Sequence, residues 1–376
     1  MNSPFTQTRT PKRALVALAL VAGLALSGCS AGASPEAEES SGPAVEPSLA
    51  FTGPGGEVPG ALDDLVLTDE EMAEVEAGNF TAAFVWHTSS EFVTAVEEGA
   101  TEEFEKLGIE VVASTQADFD AATQANNLQT VLALDPDIIV TIAVDPTSAA
   151  ATFQPAVDAG TKLVIMTTPP AGYTAGDQFV SIVTESLTEA GKINADLLGD
   201  ALGGEGEVGY MFHDADFWFT NQRDQAFKDW TAYSYPDIDI VAEQGFTDEA
   251  ATQEVAAAMI ARNPNLKGIY VSWATAAQGV VAAIRDAGRT DIKVVTNDLD
   301  ATLAADMVAG GNVVGLVGNG SISLGKGLAI ASAYGVIDKE APELVAITPM
   351  GATADNIVEA WEDDYGTEPP SSVTGK

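Results

Sequence analysis

The sequence predicts an α/β protein with two doubly wound parallel-sheet lobes. Short apolar runs of strand length recur along the chain, and segments with helical periodicity separate most of them. Nine such runs suit two sheets better than one. The runs occupy residues 80–86, 109–113, 137–143, 162–167, 207–212, 238–243, 268–273, 292–297 and 313–318. Ligands of open parallel sheets lie beyond the carboxyl ends of the strands, so the residues that end each run are candidates for binding.

Residues 1–28 have the pattern of a removable signal peptide. Basic residues within 9–13 precede an apolar run over 14–26, which is shorter than the roughly 20 residues that a membrane-spanning helix needs. The run ends in Leu-Ser-Gly-Cys at Cys29, the only cysteine, which therefore cannot form an internal disulfide. This ending resembles a bacterial lipoprotein signal, so we expect lipid attachment at Cys29 and an extracytoplasmic protein anchored to the cell membrane. The alternative is a secretory peptide cut nearby, with an unmodified thiol.

The segments that flank the predicted lobes have distinct patterns. Residues 29–67 are expected to be a flexible tether, because most of the stretch is rich in Ser, Pro, Gly and Glu and has few large apolar residues. Residues 68–78 should form a short helix, in which Thr68 and Glu71 fit a capping box. Residues 367–376 are expected to be a tail.

The charge balance is strongly acidic. The chain has 16 Lys and Arg residues against 56 Asp and Glu residues, for a formal net charge of −40. Such a surface repels nucleic acid and anionic lipid headgroups, so we expect no nucleic-acid partner and membrane contact only through the lipid. Solubility, or adaptation to salt, is sufficient to explain the acidity.

Aromatic residues at the strand ends predict a binding surface. Trp86, Trp218 and Trp273, three of the five tryptophans, lie at strand ends, where turn residues normally prevail. An aromatic face stacks on the C–H face of a sugar, on a planar base or under a cation. The alternative is that each ring covers the core of its own lobe. Asp298 directly follows an apolar run and is expected to contact a ligand, since Asp300 is better placed to cap the next helix.

Three segments together resemble one known family. They are "FTAAFVWHTSSEFVTAVEEGATEEFEKLGIEVV", "NQRDQAFKDW" and "AAIRDAGRTDIKVVTNDLD". In this order they are similar to the ribose-binding-like type I periplasmic binding proteins, the substrate-binding proteins of ABC importers. The resemblance covers about residues 79 to 366. It implies two lobes that the chain crosses between three times, with 79–183 plus 319–349 in the N-terminal lobe and 184–318 plus 350–366 in the other, and a hinge that closes them on a ligand.

The resemblance also places ligand contacts. Those of the family fall on Ser90, Phe92, Asp298 and, approximately, Asn319.

Several positions depart from the sugar-binding pattern of this family. Thr167 and Thr168 stand where Asp-Arg is frequent, Asn221 stands where an arginine is frequent, and Trp273 replaces an asparagine. Arg223 matches a helix position that is usually structural. These changes remove two guanidinium forks and add an aromatic face, so the family stays the same while ribose itself is disfavoured.

The predicted function is therefore that of a protein that captures a small neutral sugar or polyol and delivers it to an ABC permease. The expected ligand-binding residues are Trp86, Ser90, Phe92, Thr167, Thr168, Trp218, Asn221, Trp273, Asp298 and Asn319. A nucleoside or a cationic amine is the alternative ligand, because of the aromatic residues and the acidic field. A sensor that docks on a membrane receptor is the alternative role.

The sequence gives little support to an enzyme. It contains no His-Glu-x-x-His or Gly-x-Ser-x-Gly motif. Residues 204–209 match Gly-x-Gly-x-x-Gly but precede a strand instead of following one, and 320–327 approach a P-loop without the hydroxyl residue after Lys326. His87 and His213 could bind a metal, but hydrogen bonding is the favoured role. We expect no catalytic activity, no cofactor and no metal.

Overall fold

The apolar runs and amphipathic segments fold into alternating strands and helices. The computed structural model describes residues 45–375, so the predicted signal peptide, Cys29 and the first part of the predicted tether lie outside the described residues. The strands are β1 (Pro59–Ala61), β2 (Thr81–Trp86), β3 (Glu110–Gln116), β4 (Ile138–Thr141), β5 (Lys162–Met166), β6 (Ile182–Glu185), β7 (Glu205–His213), β8 (Asp237–Phe246), β9 (Leu266–Val271), β10 (Lys293–Asn297), β11 (Val313–Gly318), β12 (Leu344–Ile347) and β13 (Met350–Ala352). The helices are α1 (Asp69–Gly78), α2 (Glu91–Lys106), α3 (Ala121–Leu132), α4 (Pro146–Ala159), α5 (Leu187–Leu202), α6 (Trp218–Ser234), α7 (Thr252–Arg262), α8 (Ala274–Asp286), α9 (Ala301–Val308), α10 (Ser321–Val336), α11 (Ile357–Tyr365) and α12 (Ser371–Thr374).

The strands form two sheets. The first has seven strands in the order β1-β12-β6-β5-β4-β2-β3, all parallel. The second has six in the order β13-β11-β10-β9-β7-β8, and only β13 is antiparallel. The prediction of two parallel-sheet α/β lobes is confirmed, and each of the nine apolar runs overlaps a strand. The four strands that were not predicted, β1, β6, β12 and β13, have only three or four residues each.

The chain passes between the sheets at three places. It leaves the first sheet after β6, whose last residue is Glu185, and enters α5, which packs against β10 and β11 of the second sheet. It returns between β11 and α10, at Asn319 and Gly320, and α10 packs against β5 and β6. It crosses again between β12 and β13. The first sheet thus extends two residues beyond the predicted boundary at 183.

The predicted flexible tether and the predicted tail both contain folded residues. β1, within the predicted tether 29–67, pairs with β12, and Leu65 is buried in the first lobe. Tyr334 Oη accepts a hydrogen bond from the amide of Val66 and donates one to its carbonyl, at 2.8 and 2.7 Å. In the predicted tail 367–376, Val373 of α12 is buried in the second lobe. These corrections have one cause: the partners are distant in sequence, so local composition does not reveal them.

Between tether and lobe, α1 begins with the capping box. Thr68 Oγ1 accepts a hydrogen bond from the amide of Glu71, whose carboxylate accepts one from the amide of Thr68. Among residues 45–375, no helix has both the length and the apolar character needed to cross a bilayer.

The glycine-rich segment 320–327 forms the start of α10, which packs closely against α2. A Cβ atom on Gly325 would lie 2.1 Å from the carbonyl oxygen of Val96 and 2.5 Å from the amide nitrogen of Ala100. Helices α2 and α10 therefore approach each other more closely than an alanine at this position would allow. Gly325 of the P-loop-like pattern is therefore required by helix packing.

We predict that Gly325→Ala lowers the free energy of unfolding by about 1–3 kcal/mol through overpacking. This loss should appear although alanine is the better helix former by about 1 kcal/mol. Gly327→Ala, in the same helix, is the control, because its Cβ would meet methyl groups of Val183 and Leu62 at 3.0 and 3.1 Å, which can shift. Urea unfolding measures both variants, and equal stabilities would contradict the packing argument.

Candidate ligand-binding site

The two sheets turn the carboxyl ends of their strands toward one pocket. It encloses about 570 Å³ of space free of protein atoms, including its opening to solvent. The first lobe contributes His87, Thr88, Ser90, Phe92, Phe119, Ile142, Met166 and Thr167, and the second contributes His213, Phe217, Phe219, Thr220, Arg223, Glu249, Trp273, Thr275 and Asp298. This position, outside the carboxyl ends of parallel strands, is where open α/β sheets bind ligands.

Aromatic side chains form much of the pocket wall. Phe119 of the first lobe faces Trp273 of the second, with ring centroids 6.2 Å apart. The ring of His213 stands edge-on to Trp273 at 5.1 Å. Phe217 lies 6.5 Å from the His87 ring across the lobes. A solute between the lobes would therefore meet aromatic faces from both of them.

Two carboxylates line the pocket. Asp298 follows β10 in the left-handed region, at a φ of 69°, and its Oδ1 accepts a hydrogen bond from the Asn319 amide at 2.7 Å. Glu249 accepts a hydrogen bond from the indole N–H of Trp273. Burial raises the pKa of both Asp298 and Glu249. Each carboxylate keeps acceptor capacity for a ligand, since a carboxylate offers about four lone-pair sites.

A buried ion pair joins the two lobes below the pocket. Arg223 of α6 contacts Glu185, at the end of β6, with an Nη1–Oε1 distance of 3.1 Å. The two side chains are 1% and 0% exposed. Arg223 also donates a hydrogen bond to the carbonyl of Ser272 at 2.7 Å and lies over the Phe219 ring at 4.6 Å. Burial raises the pKa of Glu185 to about 7, and the attraction of Arg223 opposes this rise.

Both histidines reach the pocket in their neutral form. Burial lowers the pKa of His87 to about 3 and that of His213 to about 4. Nδ1 of His213 is 3.0 Å from Thr220 Oγ1. Among residues 45–375, no cluster of three or more metal-binding side chains is present. The His213 ring thus has a hydrogen-bond partner, whereas His87 Nδ1 has none within the described residues.

The structure brings five of the ten predicted ligand-binding residues to this pocket. Ser90, Phe92, Thr167, Trp273 and Asp298 line it.

Two further predicted residues lie behind the wall. Asn319 is 0% exposed and holds Asp298 through its amide. Thr168 is buried beside Thr167, and its carbonyl accepts a hydrogen bond from the amide of Ala143.

Three predicted residues lie elsewhere. Trp86 is 2% exposed, stacks on Phe84 at 5.2 Å and donates to Glu97. Phe84 and Trp86 are two residues apart in β2, so both point to the core face of the sheet. Trp218 packs on Phe51, and the exposed Asn221 donates to the carbonyl of Ala215. The alternative of a ring that covers its own core is thus correct for Trp86.

Sequence reasoning missed part of the aromatic wall and one carboxylate. Phe217 and Phe219 flank the proposed Trp218, and helix α6 begins between them, which turns these neighbours and not the indole to the pocket. Phe119 stands in a left-handed turn beyond β3, at a φ of 58°, and the strand pattern gives no indication of its direction. Glu249 lies in a 3-10 turn after β8, where nothing in the local pattern distinguishes it.

A two-lobed α/β chain that encloses a pocket between facing strand ends has the architecture of a solute-binding protein. The family model of the periplasmic binding protein domain matches residues 82–341. The chain belongs to this family, whose members bind solutes and are not enzymes.

Individual relatives agree in extent and fold. A xylitol-binding protein from Mycolicibacterium smegmatis is 26% identical over 288 residues, which are 73% of this chain and 77% of that protein. An ABC transporter solute-binding protein from Agrobacterium vitis, bound with α-D-tagatopyranose, superposes with a TM-score of 0.70 at 23% identity, over 76% of this chain and 99% of that one. Another from Mycobacterium smegmatis, with bound glycerol, has a TM-score of 0.66 at 23% identity, over 74% and 96%.

We predict that Arg223→Met lowers the free energy of unfolding by about 3–5 kcal/mol, because it leaves Glu185 buried without its cation. The matched control is the double variant Arg223→Met/Glu185→Met, which removes both charges and should recover most of the loss. Urea unfolding at pH 8 measures the difference. At this pH an unpaired Glu185 costs free energy in either form, because the buried carboxylate is unpaired when ionised and has to bind a proton from dilute solution when neutral. If the double variant is as unstable as the single one, the pair is not the source of the cost.

The histidines predict a dependence of stability on pH. Their lowered pKa values mean that only the unfolded chain binds these protons between about pH 4 and 6.5, so stability is lost as the pH falls through this range. At pH 5.5 the loss is about 1.4 kcal/mol for each histidine, since the ordinary pKa is about 6.5.

The test compares wild type with His87→Gln/His213→Gln by urea unfolding at pH 8 and pH 5.5. The variant should gain about 3 kcal/mol relative to wild type on going to the lower pH. Glu185 changes stability in the opposite direction, because its pKa is raised, but it is present in both proteins and leaves the comparison unaffected. A difference that is independent of pH would contradict burial of neutral histidines.

Proposed function

We propose that this protein captures a small neutral sugar or polyol outside the cytoplasm and delivers it to an ABC permease. The observation that supports this most is the pocket itself, in which aromatic faces from both lobes surround the carboxylates of Asp298 and Glu249. Aromatic faces match the C–H surface of a polyol, and carboxylates accept from its hydroxyls. The ligands named for the relatives, which are xylitol, glycerol and tagatose, belong to the same class.

Buried polar atoms at the pocket supply further partners for hydroxyl groups. His87 Nδ1 and Arg223 Nε are buried and make no hydrogen bond within the described part of the chain. A buried polar atom without a partner costs free energy, and a polyhydroxylated ligand offers both donors and acceptors. Binding would therefore satisfy groups that the protein alone leaves unpaired.

Closure of the lobes around the ligand follows from the three crossings. We assign the three crossings as the hinge. The two moving lobes are then the first sheet and the second sheet, each with the helices that pack on it. Contacts across the mouth support a closed arrangement: Glu91 of α2 accepts a hydrogen bond from the amide of Ala301, at the start of α9, at 3.0 Å. Burial raises the pKa of Glu91.

Anchoring at the membrane is the finer part of this proposal. The Leu-Ser-Gly-Cys pattern supports lipid attachment at Cys29, and the net charge of −40 disfavours any nucleic-acid partner.

A cationic amine is the second candidate ligand. Asp298 and Glu249 line the pocket together with aromatic rings, and this combination attracts a cation. Both histidines are neutral at pH 7 and would not oppose it.

The test uses protein unfolded and refolded to remove bound solute. Xylitol, glycerol, D-tagatose, myo-inositol and, as amines, ethanolamine and choline are compared by thermal unfolding and calorimetry. We expect a polyol or sugar to stabilise the protein by about 2.7 kcal/mol at a hundredfold excess over Kd. Stabilisation by the amines alone would replace the first candidate by the second, and no stabilisation by any sugar or polyol would overturn the proposal.

For the ligand found in this way, Trp273→Ala should raise Kd about 10- to 100-fold, because it removes a stacking face from the centre of the pocket. Asn221→Ala is the control, since Asn221 is exposed and lies outside the pocket, and its Kd should match that of wild type. Calorimetry measures both. An unchanged Kd for Trp273→Ala would exclude this wall from the binding site.

A further inference from the structure

The described chain before β1 touches the lobe to which it is not attached. These residues precede 82–341, the part that matches the family. Thr188 of α5, in the second lobe, donates a hydrogen bond to the carbonyl of Leu49. The Phe51 ring packs against Trp218, at the start of α6, with centroids 6.2 Å apart and planes inclined by 39°. We call residues 49–53 the strap.

The chain that follows the strap is fixed to the first lobe. Glu57 is 7% exposed, and its carboxylate accepts a hydrogen bond from the amide of Gly55, which closes a tight turn after the strap. Next, β1 pairs with β12 in the first sheet, and Leu65 enters the core of that lobe. The strap is thus held by one lobe and contacts the other.

The strap also lies directly behind the pocket wall. Trp218, which Phe51 contacts, is the residue between Phe217 and Phe219, and both of these line the pocket. Phe217 and Phe219 pack against the core of the first lobe although they belong to the start of α6 in the second. Movement of Trp218 would therefore move two residues that face the ligand.

From these contacts we infer that Phe51 is a positioning residue. It holds the Phe217–Phe219 segment against the first lobe, favours the closed arrangement and so slows ligand release. The inference rests on the proposed function, because that function supplies the ligand. The contact between the strap and the second lobe is observed whatever the ligand is. The strap is attached to the first lobe and contacts the second lobe in the closed state. If this contact is weaker in the open state, it shifts the equilibrium toward the closed state by the difference in contact free energy.

The consequence for binding is kinetic. Loss of the Phe51 ring should raise Kd about three- to tenfold, mainly through a faster dissociation rate, because effects on one interface appear mostly in dissociation. The association rate should change less. A residue that only stabilised the fold would lower the melting temperature without this effect on dissociation.

The experiment compares Phe51→Ala with wild type in the full chain, with xylitol as the probe in stopped-flow and calorimetric measurements. Small-angle scattering without xylitol gives a second readout, in which Phe51→Ala should have the larger radius of gyration. Phe51→Leu, which keeps an apolar contact, should restore most of the wild-type behaviour. Val58→Ala is the control, because Val58 belongs to the same N-terminal segment but is 77% exposed.

The outcomes separate the two proposals. If wild type binds xylitol and Phe51→Ala has the same dissociation rate, the strap inference is wrong while the proposed function stands. If wild type does not bind xylitol, scattering still decides, since an unchanged radius of gyration in Phe51→Ala would overturn the inference. An equal effect of Val58→Ala would also overturn it, because the cause would then be general loosening of the segment.

Discussion

The buried contact between Arg223 and Glu185 sets the geometry on which the pocket depends. The Arg223 guanidinium contacts Glu185 at the end of β6, donates a hydrogen bond to the carbonyl of Ser272 after β9, and lies over the ring of Phe219. These three partners belong to the first crossing, to the second sheet and to the pocket wall. Two charges withdrawn from water are costly unless both stay paired in good geometry, so the ion pair restricts where the lobes can stand relative to each other at the hinge.

Phe217 and Phe219 of the second lobe pack into the core of the first, whereas three other contacts between the lobes are small and lie around the edge of the cleft. Glu91 bonds the first turn of α9, Phe119 faces Trp273, and Phe51 reaches Trp218. Each is one hydrogen bond or one ring contact, and none resembles a domain core. Weak peripheral contacts around a fixed hinge suit a protein that must open as well as close, because a ligand can then decide the equilibrium by its own differential binding.

The sequence predicted the sheets better than the directions of side chains at their ends. Nine apolar runs identified nine of the thirteen described strands, because strands of parallel sheets are rich in apolar residues. The interior strands β6 and β12 are buried but have only four residues each, so no run marked them. β1 escaped because Pro-Gly-Ala has no strand propensity and is held by distant β12. At strand ends, one residue decides between core and pocket: Trp86 faces the core, while the next residue, His87, reaches the pocket. Asp298 was identified because a carboxylate after a buried strand requires a partner, whereas Glu249 sits in an irregular turn without such a signal.

The choice between a polyol and an amine depends on how the pocket holds its negative charge. Burial raises the pKa of Asp298 and Glu249, and the charge of Asp298 adds to the rise for Glu249, so an ionised carboxylate is costly in this site. The nearby guanidinium of Arg223 lowers the pKa of Asp298, so part of the charge is already balanced within the protein. The indole N–H of Trp273 and the amide of Asn319 each donate to one of the two carboxylates. Because Arg223 and these donors already balance part of the negative charge, the carboxylates need hydrogen-bond donors more than they need another cation. The hydroxyl groups of a ligand provide such donors without bringing a new charge into a buried site. This balance favours the neutral polyol.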